Sequence, residues 1–409
     1  MKPLIFALIP LISLQAAAVY SQPASNSDQD SPDRATLVQG NNAFAIDLYG
    51  QLRQQDGNLF FSPASISTAF AMAYAGARGQ TATEMAATLH FTLPPDRLHP
   101  AMGALLASFN AAHTGYELHV ADALWAEKDE AFLPHFLNLT RADYGAGFHP
   151  VDFKTAPDAV RATINQWVEQ QTANKITNLL GQGSVTPDTR LVLTNAIYFK
   201  GDWDEPFRIS YTEDEDFHLS ATQTVKAPLM FRVGDYNYFD DGTLQALELP
   251  YQTGELSMIV FLPNKYDGLP ALEKSFTAEN AQKWLAQLHY TEKIHVTFPK
   301  FKMTDQFELN DTLAALGMKQ AFQQSAADFS GMTGGRELFI SAAVHKAYIS
   351  VDEKGTEAAA ATGMIMEATA MRDEPPPITF TADHPFLFLI RDNKSGGILF
   401  MGRVTDPTK

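Results

Sequence analysis

The segment Leu191–Lys200, which reads LVLTNAIYFK, determines the fold class that the sequence predicts. Both faces of this segment are apolar except at Thr194 and Asn195, which is typical of a central strand in a covered sheet. Since a sheet of this kind needs further layers of secondary structure to bury it, we expect such elements on either side in the sequence.

Helical periodicity is found mainly on the N-terminal side of this strand. Phe44, Leu48 and Leu52 recur at four-residue steps and predict a first helix. Ser62 and Pro63 have the residue types preferred at the N-cap and first position of a second helix.

Strand-like segments dominate the C-terminal side. They are Leu256–Leu262, Ile294–Phe298, Glu337–Val351, Ile378–Phe380, Pro385–Arg391 and Ile398–Val404. Helices followed by strands indicate an α+β fold. No internal repeat interrupts the pattern, so we expect one continuous domain over residues 37–409.

The N-terminus has the pattern of a cleaved export signal. Lys2 precedes the short apolar run Leu4–Leu14, and Ala16–Ala18 forms an A-x-A cleavage pattern. We therefore expect a signal peptide over residues 1–18, a flexible polar leader over 19–36 and a secreted or periplasmic protein. The apolar run is too short to span a bilayer, so we expect no membrane partner.

Composition excludes several classes of function. A formal net charge of −17 disfavours nucleic acid partners, and 0 cysteines exclude disulfides and thiol catalysis. The motifs H-E-x-x-H, G-x-S-x-G and the Walker loop are absent, so we expect no enzyme activity, cofactor or metal site. The acidic run Glu213–Asp216 lacks calcium-loop spacing and is interpreted as a solvated turn.

The segment Glu353–Thr369, EKGTEAAAATGMIMEAT, has chemistry compatible with two states. Read with period two, Glu357 and Glu367 fall on one face, whereas the opposite face is small or apolar. As an inserted strand it would form on the order of ten backbone hydrogen bonds of ~1 kcal/mol each. That gain is comparable to the stability of a whole domain. The alternative interpretation is an ordinary alanine-rich surface loop or helix end.

Four motifs in the same order resemble the serpin family from about residue 37 to the C-terminus. These motifs are Asn58–Met85, Leu193–Phe207, Val344–Thr362 and Phe380–Pro407. The resemblance implies helices around a large mixed central sheet, two smaller sheets and an exposed reactive-centre loop at about residues 353–377. It also implies a monomer.

The family's mechanism implies the function of this loop. A target protease attacks the loop and forms an acyl-enzyme, and the cut loop inserts into the central sheet before the ester hydrolyses. The resemblance thus implies a suicide-substrate inhibitor of serine proteases, with cysteine proteases as a further class. The alternative is a non-inhibitory carrier or chaperone on the same fold.

The resemblance also assigns the parts of the loop. Small residues in the hinge are typical of inhibitory members; the hinge here is Glu353, Gly355, Thr356, Glu357, Ala358, Ala359, Ala360, Ala361 and Thr362. Counting from Glu353 places the reactive bond at Thr369–Ala370, with Met371 and Arg372 as alternatives. Thr369 or Ala370 at this bond implies that the partner is an elastase-like or subtilisin-like protease, held in a covalent acyl complex. Arg372 would imply a trypsin-like protease.

Further residues match positions around the point where the family's sheet opens. Ser62, Ser65, Asn195 and His345 resemble its polar cluster, although His345 by itself has the character of an ordinary histidine. Trp203 resembles the aromatic residue at the top of the sheet, and Lys300 and Glu353 resemble an ion pair at the origin of the loop.

Overall fold

A computed structural model of the chain describes residues 31–145, 147–356 and 376–409. The α-helices of these residues are α1 (Pro32–Leu52), α2 (Pro63–Tyr74), α3 (Gly79–Thr88), α4 (Pro95–Phe109), α5 (Pro134–Tyr144), α6 (Pro157–Gln171), α7 (Leu269–Ser275), α8 (Ala278–Gln287), α9 (Leu309–Ala315) and α10 (Ser330–Thr333). Short 3₁₀ helices lie at Ile209–Tyr211 and Gln320–Phe322. No described helix is both long and apolar enough to cross a membrane.

The described strands form two sheets. They are β1 (Leu59–Phe61), β2 (Tyr116–Glu127), β3 (Phe148–Val151), β4 (Leu191–Asp202), β5 (Thr212–Ser220), β6 (Gln223–Asp240), β7 (Leu244–Pro250), β8 (Leu256–Pro263), β9 (His289–Pro299), β10 (Phe301–Glu308), β11 (Ile340–Asp352), β12 (Gly355–Thr356), β13 (Thr379–Thr381), β14 (Phe386–Asp392) and β15 (Ile398–Val404).

The central sheet has the strand order β10-β11-β12-β4-β2-β3. It is mixed, because β11 runs parallel to β4 and β2 parallel to β3, whereas the β2–β4 and β10–β11 pairs are antiparallel. The predicted strand at Leu191–Lys200 is β4 in the middle of this sheet, and residues 191–199 are buried. The α+β fold with a mixed central sheet is therefore confirmed.

The other strands form a second sheet of nine strands. Strand β6 holds this sheet together because it is 18 residues long. It pairs with β5, β7 and β9 at successive parts of its length. A register shift between Gly234 and Tyr236 lies in the middle of the β6–β9 pairing. The two smaller sheets expected from the resemblance are thus joined through one long strand.

Helix α2 lies between the two sheets and contacts β2, β4 and β15. Its first residue follows Ser62, whose side chain caps the helix by accepting a hydrogen bond from the Ser65 N–H at 3.2 Å. Helix α6 covers the opposite face of the central sheet through contacts with β2. The central sheet is therefore buried on both sides, as the sequence of β4 predicts.

Three local expectations differ from the structure. Residues 32–36, expected within the flexible leader, form the start of α1, because Ser31 caps the helix and Pro32 suits its first position. Glu213–Asp216 lies in strand β5, not in a turn, since its backbone pairs with β6 while its side chains face solvent. Strand β11 begins at Ile340, three residues later than predicted.

Candidate functional site

The central sheet is forked at one end. Strands β4 and β11 pair directly from Leu191 and Ile340 as far as Tyr198 and Tyr348. Beyond that point the short strand β12 lies between them, antiparallel to both. The first residues of the predicted hinge thus already occupy a place between the two central strands.

Gly355 is required by this position because β12 lies against the backbone of β4. A Cβ at residue 355 would lie 2.1 Å from the carbonyl oxygen of Gly201 and 2.7 Å from the Cα of Asp202. Both neighbours are backbone atoms, which cannot rotate out of the way. The residue at the start of the inserted strand must therefore lack a side chain.

The side chain of Thr356 is completely buried and is hydrogen-bonded, hydroxyl to hydroxyl, to Tyr251 at 2.8 Å. Tyr251 is itself buried, and its ring stacks on the indole of Trp203 with centroids 4.7 Å apart. Sequence analysis did not single out Tyr251, which lies just beyond β7. Its role becomes visible only when the chain is folded.

Trp203 and Phe207 hold the turn that precedes β12. The Trp203 backbone N–H donates to the Lys354 carbonyl at 2.7 Å, and the Phe207 N–H donates to the Glu353 carbonyl at 2.6 Å. The Trp203 indole N–H also donates to the carbonyl of Asp352 at 3.0 Å. The predicted aromatic residue at the top of the sheet is thus placed against the hinge itself.

The predicted ion pair fixes the same turn. The Lys300 ammonium lies 2.8 Å from one Glu353 carboxylate oxygen and 3.0 Å from the other, and the Thr212 hydroxyl donates to the carboxylate at 2.9 Å. Burial raises the pKa of Glu353, but these hydrogen bonds outweigh it, so its pKa lies below the ordinary value. The charged carboxylate is therefore the form that the fold stabilises.

The predicted polar cluster lies below the fork, where β4 and β11 are still paired. The Ser62 N–H donates to His345 Nε2 at 3.1 Å, and His345 Nδ1 is hydrogen-bonded to Asn195 Oδ1. Because a backbone N–H can only donate, Nε2 must be the acceptor and Nδ1 carries the proton. Complete burial lowers the pKa of His345 to about 3, so the imidazole is neutral.

The cluster continues through the amide of Asn195. Its Nδ2 donates to the Ser65 hydroxyl at 2.5 Å and to the carboxylate of Asp122. The hydrogen bonds of Asn195 therefore join β4 to β11, α2 and β2 at one point. Any strand entering between β4 and β11 must break the Asn195–His345 bond.

Asp122 is a member of this cluster that sequence analysis missed. Its carboxylate accepts from the hydroxyls of Ser65 at 3.2 Å and Thr68 at 2.7 Å in addition to Asn195. Burial raises its pKa to about 7, although these three hydrogen bonds act to lower it. No salt bridge to Asp122 is found within the described residues, so the cluster holds a buried acid without a neighbouring cation.

Several predicted residues lie outside the described part of the chain. These are the hinge residues Glu357, Ala358, Ala359, Ala360, Ala361 and Thr362, the bond Thr369–Ala370 and the alternatives Met371 and Arg372. Of the hinge, the structure places Glu353, Gly355 and Thr356. Among the described residues, no group of three or more histidine, aspartate or glutamate side chains is arranged to hold a metal ion.

Residues 39–407 match the family model described as serpin, serine protease inhibitor. The chain belongs to the serpin family. This serpin is similar to the leukocyte elastase inhibitor of Equus caballus, with 43% identity over 381 residues that cover 91% of this chain and 99% of the relative. The identification predicted from the four sequence motifs is confirmed.

Solved serpin structures share the fold. Uncleaved ovalbumin matches 91% of this chain and 100% of its own, with a TM-score of 0.82 and 29% identity. Serpin48, described as a highly specific serpin in the insect Tenebrio molitor, matches 90% of this chain and 98% of its own, with a TM-score of 0.79 and 33% identity. Inhibitors of proteases are not themselves catalysts, in agreement with the absence of enzyme motifs.

Proposed function

We propose that this serpin inhibits elastase-like serine proteases by trapping the acyl-enzyme when the cut loop inserts between β4 and β11. The observation that carries the proposal is the fork, in which Gly355 and Thr356 already form a strand between the two. Insertion would then extend an existing strand and would not have to nucleate a new one.

The register of β12 specifies where each later residue would lie. Thr356 is opposite Val351 on β11 and opposite Gly201 on β4, and each further residue moves one position back along both strands. Asn195 and His345 are themselves partners across the β4–β11 pair. Continued without a bulge, the register brings Thr362 between them.

The same register limits how much of the loop can insert. The β4–β11 pair ends at Leu191, which would face Met366. Residues 357–366 contain no proline, so every backbone N–H in this stretch can join the ladder. The predicted bond Thr369–Ala370 lies just beyond that stretch, which supports cleavage there or within a few residues.

The class of target follows from the loop and from the relatives. Small Thr and Ala residues at the expected bond suit proteases with a small primary specificity pocket. The similar proteins of Equus caballus and Homo sapiens are named leukocyte elastase inhibitor, which also indicates an elastase as the target. An elastase-like enzyme is therefore the first target to test, with subtilisin-like enzymes next.

The test is incubation with an elastase, a subtilisin and a trypsin, followed by denaturing electrophoresis. We expect a complex with elastase that survives SDS and a released C-terminal peptide whose mass identifies the cut bond. Elastase with its serine blocked beforehand is the control and should give no such complex. Complete loop cleavage by all three enzymes without any complex would contradict inhibition and favour the carrier alternative.

We also propose that the chain is exported. The proposal rests on Lys2, the apolar run Leu4–Leu14 and the A-x-A pattern at Ala16–Ala18, all of which precede the family match. Mass spectrometry of the protein recovered from outside the producing cell is the test. We expect an N-terminus at about Val19, and an intact Met1 on protein found only inside the cell would contradict export.

A further inference from the structure

A pocket of about 150 Å³ lies where the start of α1, the end of α4 and the start of β2 meet two turns of the second sheet. These turns precede β8 and follow β14. The described residues that line it include none of the hinge or of the polar cluster. Pockets for drug-sized ligands measure roughly 300–1,000 Å³, so this one suits a smaller molecule.

Arg34 supplies one positive charge to this pocket. Its side chain is only 13% exposed, and its guanidinium lies 3.6 Å from the carboxylate of Asp392, which is too far for a hydrogen bond. Asp392 is bonded within its own turn, where it accepts from the Lys394 N–H at 2.9 Å and the Ser395 hydroxyl at 2.8 Å. No described residue accepts a hydrogen bond from the Arg34 guanidinium, so its N–H groups can bind the carboxylate of a ligand.

Glu255 supplies a negative charge on the turn before β8. Its carboxylate is 61% exposed, and its one ion-pair contact among the described residues is His113 Nδ1 at 4.0 Å. His113 Nε2 lies 2.8 Å from the carbonyl oxygen of Ser108, which can only accept, so Nε2 carries the proton. A neutral imidazole of this tautomer does not compensate the charge of Glu255, which is then open to an ammonium group.

The charged groups surround one phenol. Burial and then the charges of Glu255 and Asp392 raise the pKa of Tyr116, whereas the charge of Arg34 lowers it. All three charged groups therefore lie close enough to the Tyr116 hydroxyl to act on it, and they are within reach of one small molecule. The ring of Tyr116 also stacks on that of His113, with centroids 4.2 Å apart.

The remaining wall of the pocket is apolar. It consists of the buried side chains of Phe109, Leu118, Leu256 and Leu399. Together with the ring of Tyr116, these side chains offer a surface to a branched aliphatic or aromatic group, which is stabilised when it leaves water.

The charges of the lining balance. Arg34 and Lys394 are cations, and Glu255 and Asp392 are carboxylates. An anionic ligand would meet two carboxylates, and a cationic ligand would meet two basic groups. A small molecule that carries both charges is therefore the best electrostatic match.

We infer that this pocket binds a free α-amino acid with a branched aliphatic or aromatic side chain, of which leucine is the probe. Its carboxylate would accept hydrogen bonds from Arg34, its ammonium group would approach Glu255, and its side chain would pack on the apolar wall. Binding here does not depend on the proposed inhibition, because no described residue of the hinge lines the pocket.

Isothermal titration calorimetry of the full chain with three related probes tests the inference. Leucine carries both charges, 4-methylpentanoate keeps only the carboxylate, and 3-methylbutylamine keeps only the ammonium group. We expect leucine to bind with a Kd of roughly 1 mM or below. Each probe with one charge should bind at least about tenfold more weakly, because it loses one charge-assisted hydrogen bond.

Substitution of each charged residue should affect only the probes that use it. Arg34→Gln should weaken leucine about tenfold and leave 3-methylbutylamine unchanged. Glu255→Gln should also weaken leucine but leave 4-methylpentanoate no weaker. Lys265→Gln and Glu292→Gln, which make the same charge changes at exposed positions outside the lining, should bind leucine like the wild type.

Ser108→Leu tests the pocket without changing a charge, and it covers the case in which Arg34→Gln fails to fold. Ser108 lines the pocket, so a larger side chain there should exclude leucine while the melting temperature stays near that of the wild type. Unchanged leucine binding in a folded Ser108→Leu variant would overturn the inference. So would tighter binding of 4-methylpentanoate than of leucine, equal losses in the control variants, or no heat with leucine, valine or phenylalanine at about 10 mM.

Discussion

The hydroxyl of Thr356 lies 2.8 Å from that of Tyr251, and both side chains are completely buried. The hinge is thus anchored inside the central sheet before any cleavage, at a site with room for a small polar side chain. The Tyr251 ring stacks on Trp203, which in turn holds the preceding turn. In the proposed insertion, the first step would therefore depend on the packing around Thr356.

Thr356→Arg should convert the inhibitor into a substrate. A guanidinium cannot be buried beside Tyr251 without a counter-charge, so the start of the inserted strand is destabilised by several kcal/mol. Insertion then becomes slower than hydrolysis of the acyl-enzyme. We expect loop cleavage with little covalent complex on denaturing gels, whereas the control Thr356→Ser should keep inhibition near the level of the wild type. Full inhibition by the arginine variant would contradict an inserted hinge.

Gly355→Ala should expel β12 from the fork. The added Cβ would lie 2.1 Å from the Gly201 carbonyl oxygen, and neither backbone can give way without breaking the pairing. We expect changed tryptophan fluorescence, because Trp203 packs against this turn, and a higher stoichiometry of inhibition. Gly181→Ala is the matched control, since no atom lies within 4 Å of the Cβ it would add. Identical fluorescence and stoichiometry in both variants would rule out the tight contact.

Asp122 and His345 should oppose each other in the pH dependence of stability. The pKa of Asp122 is raised from 3.8 to about 7, so its contribution to stability is lost as pH rises through this range. The pKa of His345 is lowered from 6.5 to about 3, so its contribution is lost as pH falls below about 6.5. Between roughly pH 4 and 6.5 the loss of stability from Asp122 and the gain from His345 partly cancel as pH rises, so the free energy of unfolding changes little.

Asp122→Asn removes one of the two opposing groups. We expect the thermal midpoint of this variant to rise from pH 4 to 6.5 more steeply than that of the wild type at the same scan rate. Asp158→Asn, which changes a carboxylate whose side chain is 83% exposed, should leave the slope unchanged. Parallel curves for the Asp122 variant and the wild type would show that the buried acid does not titrate in this range.

Cleavage within the reactive loop should raise the melting temperature sharply. Extending β12 from Thr356 to Met366 adds ten residues of ladder on both sides, worth on the order of 10 kcal/mol at ~1 kcal/mol per hydrogen bond. Differential scanning calorimetry before and after cutting by a non-target protease measures the change. A cut protein that melts at the temperature of the intact one would exclude insertion.

The sequence predicted the parts of this site that depend on local pattern. The covered strand at Leu191–Lys200, the Ser62–Pro63 helix start and the late strands all follow from periodicity and capping. The resemblance supplied the polar cluster and the ion pair of Lys300 with Glu353. The helix start and the strands are recognised within short stretches of chain, whereas the cluster and the ion pair join residues that are distant in sequence.

The remaining features depend on long-range pairing and were not predictable from local pattern. Asp122 joins the cluster because β2 and β4 pair in a register that places it opposite Asn195, which no local pattern specifies. Tyr251 reaches Thr356 across a sequence separation of 105 residues. The acidic run Glu213–Asp216 predicts a solvated turn, but an edge strand such as β5 can also leave its side chains in water.

If the loop inserts in the register of β12, as we propose, a consequence for engineering follows. The length of the inserted strand is set by two strands that are already in place, so it does not depend on the residues that a protease selects. Under the proposed mechanism, trapping and target choice would thus depend on separate, consecutive parts of one loop. Exchanging residues 367–372 for another enzyme's preferred sequence would redirect the inhibitor while its trap stays intact.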